Sequence, residues 1–215
     1  MVDSYRHKGL RRALVKKIKE KGIHDEKVLE AINQVPRHFF LDTAFLEKSY
    51  EDIAFPIEEG QTISQPFTVA FQTQLLDVKK GDKILEIGTG SGYQCCVLLE
   101  LGARVFTIEY NERLSKNARI LLGKMGYQAK FFCGDGSKGL PAFAPYDKIL
   151  VTAGAPVVPQ ALKDQLAIGG CLVIPVGDHK LQKMLKITRI SETGFEEESF
   201  QNFKFVPLLG EYGWK

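Results

Sequence analysis

Gly88, Gly90 and Gly92 alternate with Thr89 and Ser91 directly after the apolar run Lys83-Ile84-Leu85-Glu86-Ile87. Together they predict a buried strand that runs into a glycine-rich turn at the start of a helix. Glycines lack the Cβ atoms that hold a ligand away from the main chain. A nucleotide-like cofactor can therefore lie against this backbone, at the N-terminus of the helix that follows. The spacing is G-x-G-x-G, not the G-x-G-x-x-G of dinucleotide folds, and Tyr93 stands where a dehydrogenase wants a small residue. The expected cofactor is S-adenosylmethionine rather than a dinucleotide, held around Glu86, Gly88, Thr89, Gly90, Ser91 and Gly92. A turn that binds nothing is the competing explanation of the same residues.

Two carboxylates sit where such a ligand would need them. Glu109 closes the next apolar run about 20 residues past the glycines, the place from which an acidic side chain accepts both ribose hydroxyl hydrogens. Asp135, in Gly134-Asp135-Gly136 after the run 128–133, would accept from the adenine amino group, with Gly136 letting the ring approach. Each alone reads more readily as an ordinary strand-end or turn residue. Their recurrence at the ends of successive strands is what points to a pocket.

These positions need a sheet to hold them. Strand 83–87, helix 92–101, strand 103–109, helix 111–125, strand 128–133, strand 147–152, helix 158–167 and strand 170–176 alternate. Short, continuous Ile/Val/Leu runs of this kind predict parallel strands buried on both faces. Gly102, Gly126 and Gly169 stand where helix C-caps belong. Ahead of the sheet come helices over 6–21 and 25–34, an irregular stretch from Arg37 to Pro66, and a helix over 66–76 with Pro66 in its first turn. Strands 182–190 and 198–206 flank Ser191-Glu192-Thr193-Gly194 as a hairpin at the sheet edge. The predicted fold is α/β: a doubly wound, mostly parallel, Rossmann-like sheet with an N-terminal helical segment and a C-terminal antiparallel edge hairpin.

Composition narrows the class. The chain has 215 residues, 44% hydrophobic and 26% charged, enough for one domain with a sizeable core. Neither a membrane-spanning run nor the apolar core of a signal peptide is present, so a cytoplasmic protein is expected. Cys95, Cys96, Cys133 and Cys171 lack metal-ligand spacing and read as reduced, buried thiols; His7, His24, His38 and His179 form no ligand pair, and no metal is expected. The net charge of +3 is too small to demand nucleic acid. Eight basic residues crowd the first 21 positions around a Leu10, Leu14, Ile18 stripe, which reads as the solvated face of a docked helix.

The stretch Leu85-Glu86-Ile87-Gly88-Thr89-Gly90-Ser91-Gly92-Tyr93-Gln94 resembles the cofactor loop of class I methyltransferases. Its Gly-Ser-Gly-Tyr-Gln ending is similar to that of protein-L-isoaspartate (D-aspartate) O-methyltransferases. Gly60-Gln61-Thr62-Ile63-Ser64-Gln65-Pro66 carries the same resemblance more specifically. Val35-Pro36-Arg37-His38-Phe39, Tyr50-Glu51-Asp52, Tyr146-Asp147-Lys148-Ile149 and Phe205-Val206-Pro207-Leu208 extend it over nearly the whole chain. Cys95-Cys96 and Ala153-Gly154-Ala155 are mild departures, and Leu209 stands where some members have a threonine that contacts the cofactor.

The resemblance implies one methyltransferase domain over 1–215, with an N-terminal substrate segment 1–76, a cofactor-binding core 77–177 and C-terminal edge strands 178–215. It implies methyl transfer from S-adenosylmethionine, with S-adenosylhomocysteine as product, to the free carboxylate of isoaspartyl residues in damaged peptides and proteins. It also implies Thr62 and Ile63 at the cofactor and Ser64 as the active-site serine. Val206 and Leu208 would pair their main chain with substrate as an added strand would, with ordinary edge-strand packing the equal alternative for each. Asp52, Pro56 and Ile57 would shape the loop. A monomer that binds neither membrane nor nucleic acid is expected. From spacing alone Ser64 serves equally well as a cap for the helix at Pro66. The alternatives are a methyltransferase for a small molecule or RNA, a non-catalytic RNA-binding module, and a dehydrogenase. No Asn/Asp-Pro-Pro-aromatic segment follows strand 147–152, and no cysteine follows a proline, which weighs against amine and C5-pyrimidine acceptors.

Overall fold

A computed structural model describes residues 2–214. The chain opens with α1 (Tyr5–Glu20) and α2 (Glu26–Gln34), capped by Ser4 and Asp25 respectively. Three 3-10 turns and the two-residue strands β1 (Phe55–Pro56) and β2 (Thr62–Ile63) make up most of the irregular stretch that follows, and α3 (Pro66–Leu76) ends it. Then come β3 (Lys83–Ile87), α4 (Tyr93–Glu100), β4 (Arg104–Glu109), α5 (Glu112–Lys124), β5 (Lys130–Cys133) and β6 (Tyr146–Val151). The remaining elements are α6 (Gln160–Asp164), β7 (Leu166–Gly177), β8 (Gln182–Arg189) and β9 (Phe195–Phe203).

Seven strands form one sheet in the order β5-β4-β3-β6-β7-β8-β9. The first five are parallel; β8 and β9 add antiparallel. The chain builds outward from β3 through β4 to β5, then returns to the other side of β3 as β6. That reversal opens a crevice beyond the carboxyl ends of β3 and β6, where open α/β sheets bind ligands.

Alternate residues of each strand enter opposite cores. Ile84, Val105, Leu150 and Val173 face the layer made by α1 to α4, whereas Leu85, Phe106, Ile149 and Leu172 face the layer that includes α6. Burial on both faces is why these strands read as continuous apolar runs.

Three expectations need correction. The helix at 158–167 is only Gln160–Asp164, because β7 starts at Leu166, opposite Tyr146. A register shift follows before Lys148 pairs with Cys171. Gly169 (φ 82°) and Gly170 therefore lie inside a strand irregularity rather than at a helix cap; a Cβ on Gly170 would meet the Asp147 carbonyl oxygen at 2.7 Å. In α1, Leu14 and Ile18 are buried but Leu10 is exposed. Arg11 is buried there instead, bonded to Asp3 and the Tyr50 hydroxyl. Finally, Cys133 is exposed, whereas the other three cysteines are buried as expected.

Candidate active site

The crevice holds a cavity lined at one end by Glu109, Tyr110, Asn111, Gly136 and Leu209, and at the other by Thr62, Ile63, Ser64, Val69, Gln94 and Thr152. Gly88, Thr89, Gly90 and Ser91 run along it, and Val206 and Leu208 close its flank.

The loop is shaped by its hydrogen bonds. Gly88 N donates to Ile108 O at 2.8 Å, fixing the turn to β4. Thr152 donates its hydroxyl to Gly88 O at 2.6 Å, fixing it to β6. Gly88 has φ 95°, and a Cβ there would meet the Thr152 Oγ1 at 2.5 Å, so glycine is required on two counts. A Cβ on Gly136 would meet Ile87 Cγ2 at 2.6 Å and Ile108 Cγ2 at 3.3 Å, so this glycine lets the turn after β5 pack against β3 and β4. Glu109, 7% exposed, accepts from Gly90 N (2.8 Å) and Asn111 N (3.0 Å). Each carboxylate oxygen retains acceptor capacity, which a ribose diol can use. This cradle suits the adenosyl part of S-adenosylmethionine.

Three expected cofactor residues do not line the cavity. Glu86 lies fully buried behind the loop. Thr107 donates to it at 2.5 Å, and the Thr107 and Thr89 hydroxyls are 2.5 Å apart, so Glu86 supports the loop from below. Burial raises its pKa to about 8, with Glu109 pushing in the same direction and the Thr107 bond opposing. Gly92 faces α5: a Cβ would strike Leu122 Cδ1 at 2.5 Å, so this glycine serves helix packing. Asp135 turns to the C-terminal segment, accepting from Ser137 N (2.9 Å), Ser137 Oγ (2.6 Å) and Glu211 N (2.9 Å). Burial works against its charge, but these donors hold the carboxyl below its ordinary range.

Ser64 does not cap α3. That helix begins after Gln65, without a side-chain cap from its N-cap residue. The buried carboxylate of Asp52 takes over, accepting from Phe67 N at 2.8 Å, Gln65 Nε2 at 3.1 Å and Lys21 Nζ at 2.5 Å. The Ser64 hydroxyl has no hydrogen-bond partner among the described residues. Beside it opens a second cavity, lined by Ala54, Gln65, Phe67, Leu181 and residues 201–206. Thr62, Ser64, Thr152 and Val206 line both, so the two cavities meet at Ser64.

Three of the main-chain groups of Val206 and Leu208 expected to pair with substrate are engaged within the protein. Gly154 N donates to Val206 O and Leu208 N donates to Gly154 O, both at 2.8 Å, while Leu208 O accepts from Trp214 N. Those groups are already spoken for, and the two residues contribute to the site as cavity wall.

Thr152, Asn111 and Tyr110 were given no site role from the sequence, and Gln94 entered only as the last residue of the loop motif. Thr152 carried a signal: it is the polar residue that ends the apolar run Ile149–Val151 beside the glycine turn. Elsewhere, Asp3, His7 and His38 bring potential metal-ligating atoms within 4.8 Å of one another. Arg11 already holds both Asp3 oxygens, and His38 is bonded through both ring nitrogens, to the Tyr50 hydroxyl and Val2 O. The cluster is satisfied within the protein.

Residues 9–213 match the family model of protein-L-isoaspartate(D-aspartate) O-methyltransferase. A protein-L-isoaspartate O-methyltransferase of Cytophaga hutchinsonii is 62% identical over 100% of this chain and 97% of its own length. One of Flavobacterium psychrophilum is 57% identical over 97% and 98%. A solved protein-L-isoaspartate O-methyltransferase superposes with a TM-score of 0.85 at 30% identity, covering 94% of this chain and 67% of that one. A Plasmodium falciparum protein solved with S-adenosyl-L-homocysteine shares the fold at a TM-score of 0.81 and 24% identity, over 93% and 98% of the two chains.

Proposed function

The chain belongs to the protein-L-isoaspartate(D-aspartate) O-methyltransferase family, and on that premise we propose that it methylates the free carboxylate of L-isoaspartyl and D-aspartyl residues in damaged proteins and peptides. The observation that carries this reading is the meeting of two cavities at an unengaged serine hydroxyl. One cavity has the glycine cradle and diol acceptor of an adenosyl site; the other opens beside β9 toward solvent-exposed residues.

S-adenosylmethionine, when bound, supplies an electrophilic methyl group on a sulfonium. Glu109 and the Gly88–Ser91 main chain would hold its adenosyl end, with Gly136 in the wall beside it. Thr62, Ile63, Val69, Gln94 and Thr152 line the cavity near Ser64 and would surround the sulfonium end. An isoaspartyl carboxylate is ionised at pH 7, so the site needs no general base. That agrees with the residues at the junction, which are Thr62, Ser64, Thr152 and Val206, none of them a base. Attack of an anion on a cation disperses charge, so alignment and exclusion of water dominate the rate. Ser64 donates its hydroxyl hydrogen to one carboxylate oxygen and leaves the other aimed at the methyl group. Esterification turns the misplaced carboxylate into a good leaving group. Ring closure to a succinimide then needs no enzyme, and hydrolysis returns part of the chain to normal aspartate.

Two peptides that differ only in an Asp or isoAsp linkage test this directly. With methyl-labelled S-adenosylmethionine, base-labile label on the isoAsp peptide alone is expected. Label on neither peptide, from protein that still binds S-adenosylhomocysteine, would keep the cofactor site and refute the acceptor.

A further inference from the structure

The second cavity has an apolar wall that the protein leaves partly open to solvent. Phe67, at the start of α3, and Phe203, at the end of β9, both line it and are both half-buried. Their ring centroids lie 6.4 Å apart at an interplanar angle of 22°. Phe71 backs the pair at 5.9 Å and 5.2 Å and meets Phe200 at 6.1 Å. Leu181, in the turn between β7 and β8, lines the same cavity and is 50% exposed. The wall is fixed before any ligand arrives. Asp178 Oδ1 accepts from Lys180 N at 2.7 Å and Leu181 N at 2.9 Å, which sets the turn. Gln182 Nε2 donates to Asp178 O, and Gln182 Oε1 accepts from Phe205 N at 2.8 Å, tying the turn to the segment after β9. Among the described residues, Lys204 is the one charged residue of the lining, and no carboxylate is present.

Exposed apolar surface rimmed by polar residues marks a place that another molecule covers. Its position says which molecule. The wall is continuous with the junction at Ser64, yet Phe67, Phe203, Leu181 and Lys204 line the second cavity and not the first. They therefore lie off the reacting carboxylate and face what is attached to it. We propose that this wall is a specificity subsite for the residue next to the isoaspartyl residue in the substrate chain, and that it takes a large apolar side chain, aromatic by preference. The subsite rests on the isoaspartyl reading of the site. An aromatic ring gains offset or edge contacts with Phe67 and Phe203 beyond its buried area. A lysine or arginine there meets Lys204 and finds no carboxylate to pair with.

Steady-state kinetics on peptides built around one isoaspartyl residue test this, with a single Phe, Ser or Lys placed immediately before or immediately after it. At one of the two positions Phe should lower KM about 10-fold relative to Ser, as expected for partial burial of an aromatic side chain. The gain should appear in KM rather than kcat, because the contact is the same in the ground and transition states. Lys should give the highest KM. Leu181→Ser and Phe203→Ala should each bring the Phe-to-Ser ratio toward one, with S-adenosylhomocysteine affinity on the same proteins reporting that the fold is kept. Equal KM values for the Phe and Ser peptides with the native protein, or a preference undiminished in both variants, would overturn the subsite and leave the isoaspartyl reading standing. No label on any peptide would fail that reading, and the subsite with it. A native dimer in sedimentation that Leu181→Ser dissociates would overturn the subsite by assigning the wall to a second copy of the chain.

Discussion

Glu86 shows how a residue can sit in a cofactor motif without lining the cavity. Its carboxyl is buried at the back of the glycine turn, with a pKa of about 8 against an ordinary 4.5. Between those values the folded chain keeps a proton that the unfolded chain has released. Stability contributed at this site therefore falls as pH rises from about 4.5 to about 8. E86Q has no proton to lose. Denaturant unfolding at pH 6 and pH 9 should show the native protein losing stability on the order of a few kcal/mol more than E86Q. Parallel losses in the two proteins would show that Glu86 is ionised throughout. Asp135 makes the complementary point. Its place in Gly134-Asp135-Gly136 suggested an adenine acceptor, but three donors, one of them in the C-terminal segment, occupy its oxygens. Sequence spacing locates a carboxylate at a strand end; it does not reveal which distant main chain will bond to it.

Among the elements, the start of α3 governs the active-site loop. Asp52 caps this helix from a separate segment, so Ser64 is spared that task and Gln65 and Phe67 are fixed on its far side. Removal of a buried cap that also accepts a lysine costs about 2–4 kcal/mol. Asp52→Ala should lose that much stability to urea and also lose turnover, because Ser64 is no longer held between anchored neighbours. A stability loss below about 1 kcal/mol would show that another group caps the helix. The helix–strand alternation from β3 to β6 was legible because strands buried on both faces and helices closed by glycine are set by local pattern. The shortened α6 was not, because the early start of β7 depends on its pairing with Tyr146 across the sheet. The free hydroxyl of Ser64 was equally hidden, since capping by Asp52 is a contact across 15 residues of sequence.

At the scale of the whole molecule, the N-terminal segment is part of the cofactor core. Arg37 is fully buried with its guanidinium 5.0 Å from the Tyr93 ring centroid, and Phe40 meets the same ring at 5.4 Å. Burial lowers the Arg37 pKa to about 10. Tyr93, which argued against a dinucleotide because it is large, proves to be the residue on which the Val35-Pro36-Arg37 motif docks. Two motifs far apart in sequence thus share one interface beside the cavity. Among the described residues, no helix is long and apolar enough to cross a membrane. Ligand bound between such segments should stabilise the fold as a unit. S-adenosylhomocysteine at 100 times its Kd should add about 2.7 kcal/mol. For a chain of this size that is a rise in melting temperature of roughly 5–10 °C. A single transition that moves as a whole is expected; a second, unmoved transition would show that the N-terminal segment melts separately.

The most direct test of the account is the steady-state kinetics of Ser64→Ala on an isoaspartyl peptide, with S-adenosylhomocysteine affinity measured on the same protein. The hydroxyl makes no bond to any of the described residues, so fold stability should change by less than about 1 kcal/mol, and ligand affinity should hold. Turnover should fall by about 100-fold or more, the loss typical of one aligned donor at a reacting oxygen. Native turnover in a folded, ligand-binding Ser64→Ala protein would contradict the claim that the two cavities meet at the reacting group.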